Sequence, residues 1–326
     1  MASLCVSGVL GGCSLSMLLI ESISRTNENP MHLVTFTAFL LVPLWCFLKD
    51  PGIPWKRTVP MSEYGIIIIC FFVTNVMNNQ SVNYDLPFPL FIIFRSGTLM
   101  ASVLLTAILQ RRVYSWSKIL SVCSVTFGLV IFTLASSNHH SIKRVEYLWI
   151  DHLPWPRFVT GIIAQTTCVF ISAYLGIRQE AIFGRYGKCP DEMMFFVHIY
   201  SLPFFVPVLP EIISAANSFN QSEDLDLLFF SVPNLWLKLS LVSILQIVCI
   251  RSVYQLTSVV SSLSVNMILA LRKFLNLLLS VYVFNNELSI HHWLATGMII
   301  GGTCAFYNTF GQMLQLCNSA KAKKRD

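Results

Sequence analysis

The chain has 326 residues, of which 55% are hydrophobic and 12% are charged, and its formal net charge is +6. Its mean hydropathy is +0.65, whereas an average soluble domain carries about 25% charged residues. Because so little polar surface cannot cover a water-exposed globule, a water-soluble domain is excluded, no nucleic-acid partner is expected, and membrane lipid is indicated as the surrounding medium.

Ten apolar segments are long enough to cross a bilayer, which takes about 20 residues. In chain order, these predicted spans 1 to 10 cover residues 2–23, 32–48, 62–82, 87–109, 116–136, 158–180, 192–210, 233–256, 259–284 and 291–314. No basic residue precedes the first apolar stretch, so we expect a retained span rather than a signal peptide. Spans 3 and 4 are expected to form a tight hairpin around 83–86. The predicted fold class is therefore an all-α polytopic membrane protein with ten transmembrane helices.

The basic residues predict that both termini face the cytosol, because Lys and Arg are enriched in cytosolic segments. The segments assigned to that side hold Lys49, Lys56, Arg57, Arg111, Arg112, Lys118, Arg178, Arg185 and Lys188. The predicted luminal loop 211–232 holds no basic residue. This loop also contains the sequon Asn220-Gln221-Ser222, which makes Asn220 a candidate for N-glycosylation.

The two halves of the chain resemble each other at fixed offsets. Arg95 and Trp116 align with Arg272 and Trp293. Since each half has an odd number of spans, the second repeat must be inverted in the membrane, an arrangement typical of transporters that alternate access to a central site. The predicted division is a first five-helix repeat at 1–137, a luminal connection at 138–157, a second repeat at 158–314 and a basic cytosolic tail at 315–326.

Apart from Lys118, Arg178 and Lys238 near span ends, four basic residues fall inside predicted spans: Arg95, Arg251, Arg272 and Lys273. A charge within the bilayer costs several kcal/mol, so such a residue is expected to serve a function. The few acidic residues of the spans lie at or near span ends and do not balance these cations, which indicates an anionic substrate such as a diphosphate. Arg251 lies near a span end, where extension of its side chain to the membrane surface is an equally good explanation.

Other polar and aromatic side chains could bind the remainder of the substrate. We predict Asn78 and Asn79 in span 3 and His198 and Tyr200 in span 7 as further substrate-binding residues. Amides inside membranes more commonly join helices by hydrogen bonds. The cysteines are expected to be small buried side chains, and no metal, cofactor or catalytic residue is expected.

The C-terminal tail carries Lys323 and Lys324 at the fourth and third positions from its end. This spacing resembles a dilysine signal for retrieval to the endoplasmic reticulum, which COPI-type machinery could read as an address. The alternative is that these lysines are simply the positive-inside charge of the last span. The expected location is an ER or Golgi membrane.

Three basic motifs carry a resemblance to a known family. They are Phe94-Arg95-Ser96-Gly97, Val248-Cys249-Ile250-Arg251 and Leu271-Arg272-Lys273-Phe274. With the ten spans, they resemble the UAA group of nucleotide-sugar transporters in the drug/metabolite transporter superfamily.

The resemblance covers essentially the whole chain and implies antiport by alternating access. It implies that UDP-N-acetylglucosamine or UDP-xylose enters the ER or Golgi lumen in exchange for a nucleoside monophosphate. It also implies that Arg272, and especially Lys273, approaches the diphosphate and that Arg95 faces the cavity. In span 7 the chain departs from relatives, which often have Phe-Tyr-Asn-Asn or Phe-Tyr-Asn-His where this chain has Phe195-Phe196-Val197-His198.

Other functions compete with this interpretation. A transporter of another phosphorylated metabolite would use the same cations. A membrane-embedded glycosyltransferase would need a general base or a metal site, and no Asp/Glu pair or DxD motif is visible. A scaffold whose intramembrane cations pair with lipid phosphates is also compatible with the sequence. Oligomeric state does not follow from these patterns.

Overall fold

A computed structural model describes residues 2–26, 30–80, 93–136, 155–227, 230–283 and 289–308. The predicted hairpin at 83–86 and the tail lysines Lys323 and Lys324 lie outside these residues. Every statement below concerns the described part of the chain.

Ten helices, α1 to α10, follow the ten predicted spans in order. Eight of them are single α-helices: α2 (Met31–Lys49), α3 (Met61–Gln80), α4 (Thr98–Gln110), α5 (Trp116–Ser136), α6 (Trp155–Tyr186), α8 (Asn234–Thr257), α9 (Ser262–Val283) and α10 (Ile290–Phe306). Helix α1 consists of Ala2–Ser7, a π-helical turn at Gly8–Gly12 and Cys13–Thr26. Helix α7 consists of Pro190–Ser201, a 3₁₀ segment at Leu202–Val208 and Leu209–Asn220. Nine helical stretches within the described residues have the length and composition to cross a membrane, and α10 has 17 residues. These helices confirm the all-α polytopic class, whereas the inverted relation of the halves stays a prediction.

The prediction of a loop at 211–232 is wrong for residues 211–220, which are helical. Helix α7 runs on to Asn220 because Pro210 suits a helical first turn and because Ile212, Ala215 and Phe219 form a buried apolar stripe. The strands β1 (Asp224–Leu227) and β2 (Phe230–Pro233) then pair antiparallel. Pro203 and Pro207 interrupt α7 earlier, within its 3₁₀ segment.

The most extensive helix contact joins α5 to α10. Glycines allow this close approach, since a Cβ added to Gly128 would lie 2.7 Å from Ile299 Cγ1 and one added to Gly302 would lie 2.9 Å from Val125 Cγ2. The Ser124 hydroxyl also donates to the Met298 carbonyl at 2.9 Å. Small residues let helix backbones approach closely within a membrane, so this pair forms a tightly packed unit beside the remaining helices.

Ion pairs concentrate at one end of the bundle, which we call the ion-pair end. Here Glu63 of α3 accepts hydrogen bonds from Arg178 at 2.6 Å and Arg185 at 3.1 Å, both on α6. Arg112, just after α4, donates to Glu180 of α6 at 2.9 Å. Asp191 at the start of α7 pairs with Lys49 and Arg251. These contacts tie α2, α3 and the end of α4 to α6, α7 and α8. That this end faces the cytosol stays a prediction.

One pair of cysteines departs from the expectation of small buried side chains. Cys13 in α1 and Cys249 in α8 form a disulfide, although they are 236 residues apart in sequence. The sequence could not indicate this pairing, because it depends on α1 packing against α8.

Candidate functional site

A cavity of about 310 Å³ lies between α3, α4, α6, α8 and α9. It is lined by Phe71, Thr74, Asn75, Asn78, Arg95, Ser96, Thr98, Leu99, Gln165, Cys168, Val169, Ser172, Leu175, Gly176, Gln179, Val253, Tyr254, Thr257, Ser262, Val265, Asn266, Leu269, Ala270, Arg272 and Lys273. The α6 residues recur at helical spacing, so one continuous face of α6 forms a wall. From Gln165 to Gln179 this wall extends about 21 Å at 1.5 Å per residue.

Three cations line the cavity: Arg95, Arg272 and Lys273. The Lys273 ammonium donates to the Arg95 carbonyl oxygen at 2.6 Å, which brings α9 and α4 together. Arg272 Nη1 donates to Cys249 Sγ at 3.9 Å, while Arg95 interacts electrostatically with Cys168, which also lines the cavity. No Asp or Glu is among the lining residues of the described chain. Like charges held together in a bilayer are costly without a counter-charge, so this cluster is suited to binding an anion.

Several buried polar atoms around the cavity have no hydrogen-bond partner among the described residues. They are Thr74 Oγ1, Gln165 Oε1, Gln165 Nε2, Tyr254 OH, Ser262 Oγ and Arg272 Nε. Such atoms are uncommon because leaving a buried polar group unpaired costs about 1–3 kcal/mol. Six such atoms along one cavity indicate a wall suited to contacting polar material.

The remaining sequence-predicted residues fall in different places. Asn78 lines the cavity, whereas the side chain of Asn79 lies outside the described residues. His198 does not line the cavity. It is fully buried, its ring centroid lies 5.0 Å from that of Phe39, and its Nδ1 lies 2.8 Å from the Met194 carbonyl.

Three further predicted residues lie away from the cavity. Tyr200 is 44% exposed and stacks on Phe196 at 5.8 Å. Arg251 lies at the ion-pair end, with its guanidinium carbon 4.9 Å from the ring centroid of Trp45. The candidate glycosylation residue Asn220 ends α7, and its Oδ1 accepts a hydrogen bond from the indole N–H of Trp236 at 2.8 Å.

The sequence predicts a central cavity lined by spans 3, 4, 8 and 9 with elements of spans 1, 2, 6 and 7, but it did not single out Gln165 of α6 or Tyr254 of α8. A single amide or phenol in an apolar segment is no signal by itself. The available signal was the helical spacing of small and polar residues along α6, from Gln165 through Ser172 to Gln179.

Membrane-length helices around a cavity lined by three cations define a class: a polytopic membrane protein whose interior is suited to an anionic solute. The chain matches the UAA transporter family over residues 1–310 and belongs to that family. This membership confirms the resemblance drawn from the basic motifs, and it identifies the chain as a transporter rather than an enzyme.

Similar proteins include three full-length relatives. A Drosophila melanogaster protein named endoplasmic reticulum GDP-fucose transporter is 32% identical, with 96% of this chain and 92% of the relative covered. A Danio rerio protein named UDP-xylose and UDP-N-acetylglucosamine transporter is 31% identical, with 98% of each covered. The Homo sapiens nucleotide sugar transporter SLC35B4 is 32% identical, with 95% of each covered.

A solved crystal structure has the same fold at 15% sequence identity. Its TM-score is 0.67, and the match covers 94% of this chain and 96% of that one.

Proposed function

We propose that this transporter carries a nucleotide sugar, UDP-N-acetylglucosamine or UDP-xylose, across an ER or Golgi membrane in exchange for a nucleoside monophosphate. The observation that carries the proposal is the cluster of Arg95, Arg272 and Lys273 in a cavity whose described lining contains no carboxylate. A diphosphate supplies the missing negative charge, with arginine suited to binding two oxygens at once and lysine acting as a point charge.

The relatives support a nucleotide sugar as the solute, because proteins with UDP-xylose, UDP-N-acetylglucosamine and GDP-fucose in their names align over nearly the whole chain. They do not agree on the base. Any assay must therefore offer uridine and guanosine nucleotide sugars side by side.

Alternating access is the mechanism that we propose for this exchange. The ion pairs between Glu63 and Arg178 and between Arg112 and Glu180 join helices of the first half to α6 at one end of the bundle. Opening of the cavity at this end would require such pairs to separate, and closing would re-form them. Each is partly solvated, so its net strength is modest, which suits a contact that breaks in every transport cycle.

The test is uptake into proteoliposomes that contain the purified protein. Radiolabelled UDP-N-acetylglucosamine, UDP-xylose, GDP-fucose and a triose phosphate are offered, with nucleoside monophosphate inside the vesicles. We expect uptake of a UDP-sugar that depends on internal UMP. Uptake of the triose phosphate alone would instead show a transporter of another phosphorylated metabolite.

The charge at Lys273 can be tested in the same assay. Lys273→Met keeps the aliphatic stem and removes one charge-assisted contact, which is expected to cost about 1.5–3 kcal/mol, or roughly tenfold to a hundredfold in affinity. Lys56→Met is the matched control, because Lys56 is exposed in the connection between α2 and α3. Unchanged exchange by Lys273→Met, at equal protein amount, would contradict the proposed diphosphate site.

A further inference from the structure

The cavity is chemically polarised along the bundle axis. We place its cation level at Arg95, which lines the cavity together with Cys168 and interacts with it electrostatically. Cys168 Sγ in turn donates to the Thr74 carbonyl at 3.6 Å. Gln165 precedes Cys168 by one helical turn, which places it about 4.5 Å farther from the ion-pair end. Tyr254 lies on the opposite side of the cations, three residues beyond Arg251, which is at the ion-pair end.

The two sides of the cation level differ in composition. Toward the ion-pair end the lining includes the aromatic rings of Phe71 and Tyr254 together with the amides of Asn266 and Gln179, and these two rings are the aromatic ones in the described lining. Away from that end it includes the amides of Asn78 and Gln165. Aromatic faces are suited to stacking on a planar base, whereas amides donate and accept hydrogen bonds with hydroxyl and acetamido groups.

Gln165 is the most unusual of these residues. It is 0% exposed, and neither its Oε1 nor its Nε2 has a hydrogen-bond partner among the described residues. Gln165 is among the residues that line the cavity, one helical turn from Cys168. An unpaired buried amide destabilises the ligand-free protein, so its presence here is best explained by a hydrogen-bonding group that arrives with the ligand.

We infer that Gln165 is a specificity-determining residue that binds the sugar of the nucleotide sugar, with the base lying on the opposite side of the cations between Phe71 and Tyr254. This inference rests on the proposed function. It follows from the order of groups in such a ligand, whose phosphates separate the base from the sugar. With the phosphates at Arg95 and Lys273, the aromatic side of the cavity receives the base and the amide side receives the sugar.

The experiment compares three ligands that share a base but differ beyond it. Dissociation constants of UDP-N-acetylglucosamine, UDP and UMP are measured for the purified full-length protein and for Gln165→Met, which keeps the length of the side chain but cannot form the hydrogen bonds. We expect UDP-N-acetylglucosamine to bind the variant about tenfold more weakly, as for the loss of about 1.4 kcal/mol. Binding of UDP and UMP should change less than twofold. Tyr254→Leu, in contrast, should weaken all three ligands by a similar factor.

A second measurement separates a ligand contact from a structural role. Because Gln165→Met removes an unpaired buried amide, the melting temperature of the ligand-free variant should equal or exceed that of the wild type. Gln165→Asn, which retains the amide but withdraws it by one methylene, should show the same selective loss of sugar binding.

Two outcomes would overturn the inference and leave the proposed function intact. One is an equal loss of UDP, UMP and UDP-N-acetylglucosamine binding in Gln165→Met, and the other is no loss for any of them. A wild-type protein that binds none of UDP-N-acetylglucosamine, UDP-xylose and GDP-fucose would overturn both proposals.

Discussion

The two arginines that share Glu63 provide an internal comparison, because they lie on the same helix and differ in burial. Arg178 is 28% exposed and lies 2.6 Å from Glu63 Oε2, whereas Arg185 is 68% exposed and lies 3.1 Å from Oε1. Glu63 itself is 17% exposed. We predict that Arg178→Met destabilises the protein clearly more than Arg185→Met, although each variant removes one cation from the same carboxylate.

The expected magnitudes follow from this geometry. A hydrogen bond to a charged group contributes about 1.5–3 kcal/mol, and partial exposure of Arg178 and Glu63 places their pair near the low end, at about 1.5 kcal/mol. An exposed pair contributes about 0.2–1 kcal/mol, so we assign Arg185 about 0.5 kcal/mol. At about 2 °C per kcal/mol for a long chain, the melting temperature should fall by about 3 °C and about 1 °C, respectively.

The assay is thermal unfolding of the purified variants in one detergent, followed by the loss of monodisperse protein. Glu63→Gln, which removes the charge that both arginines share, should lower the melting temperature at least as much as Arg178→Met. The reasoning is refuted if Arg185→Met is as destabilising as Arg178→Met, or if Glu63→Gln is milder than either. Such a result would show that the burial of an arginine does not determine how much its contact with Glu63 stabilises the protein.

Two further predictions concern packing and location. Gly128→Leu should disrupt the packing of α5 on α10 and lower the melting temperature. Gly301→Leu should have little effect, because a Cβ at Gly301 meets nothing within 4 Å. Equal melting temperatures of the two variants would mean that the contact at Gly128 does not stabilise the protein. Changing Lys323 and Lys324 to Ser should move the protein from the ER toward the Golgi or cell surface in fluorescence microscopy, with its topology unchanged. An unaltered distribution would mean that the basic tail serves only to orient the last span.

The sequence predicted those features of the fold that depend on the residues of one helix alone. Long apolar runs predicted all ten helices, since a membrane-spanning segment must satisfy its own backbone hydrogen bonds. The extension of α7 to Asn220 escaped prediction because its stripe of Ile212, Ala215 and Phe219 is amphipathic rather than uniformly apolar.

The sequence was less informative wherever two helices must meet. Glu63 and Arg178 stand 115 residues apart, and neither is remarkable at a span end. The charge of Lys273 made it a candidate substrate-binding residue from the sequence alone, because a cation within a bilayer is costly and is expected to serve a function. Gln165 carries no charge, and its lack of a hydrogen-bond partner among the described residues is a property of the folded chain that no sequence pattern reveals.

The pairing of α5 with α10 also implies a delay during synthesis between the two helices that pack together. Ser124 and Met298, which join the two helices by a hydrogen bond, are 174 residues apart in the chain. At about 5–20 residues per second, α5 is made roughly 9–35 s before the ribosome reaches the helix that covers it. During that interval the groove at Gly128 faces lipid or a temporary neighbour. Helix α5 has a composition compatible with such an interval, because beyond Lys118 near its start it contains no charged side chain.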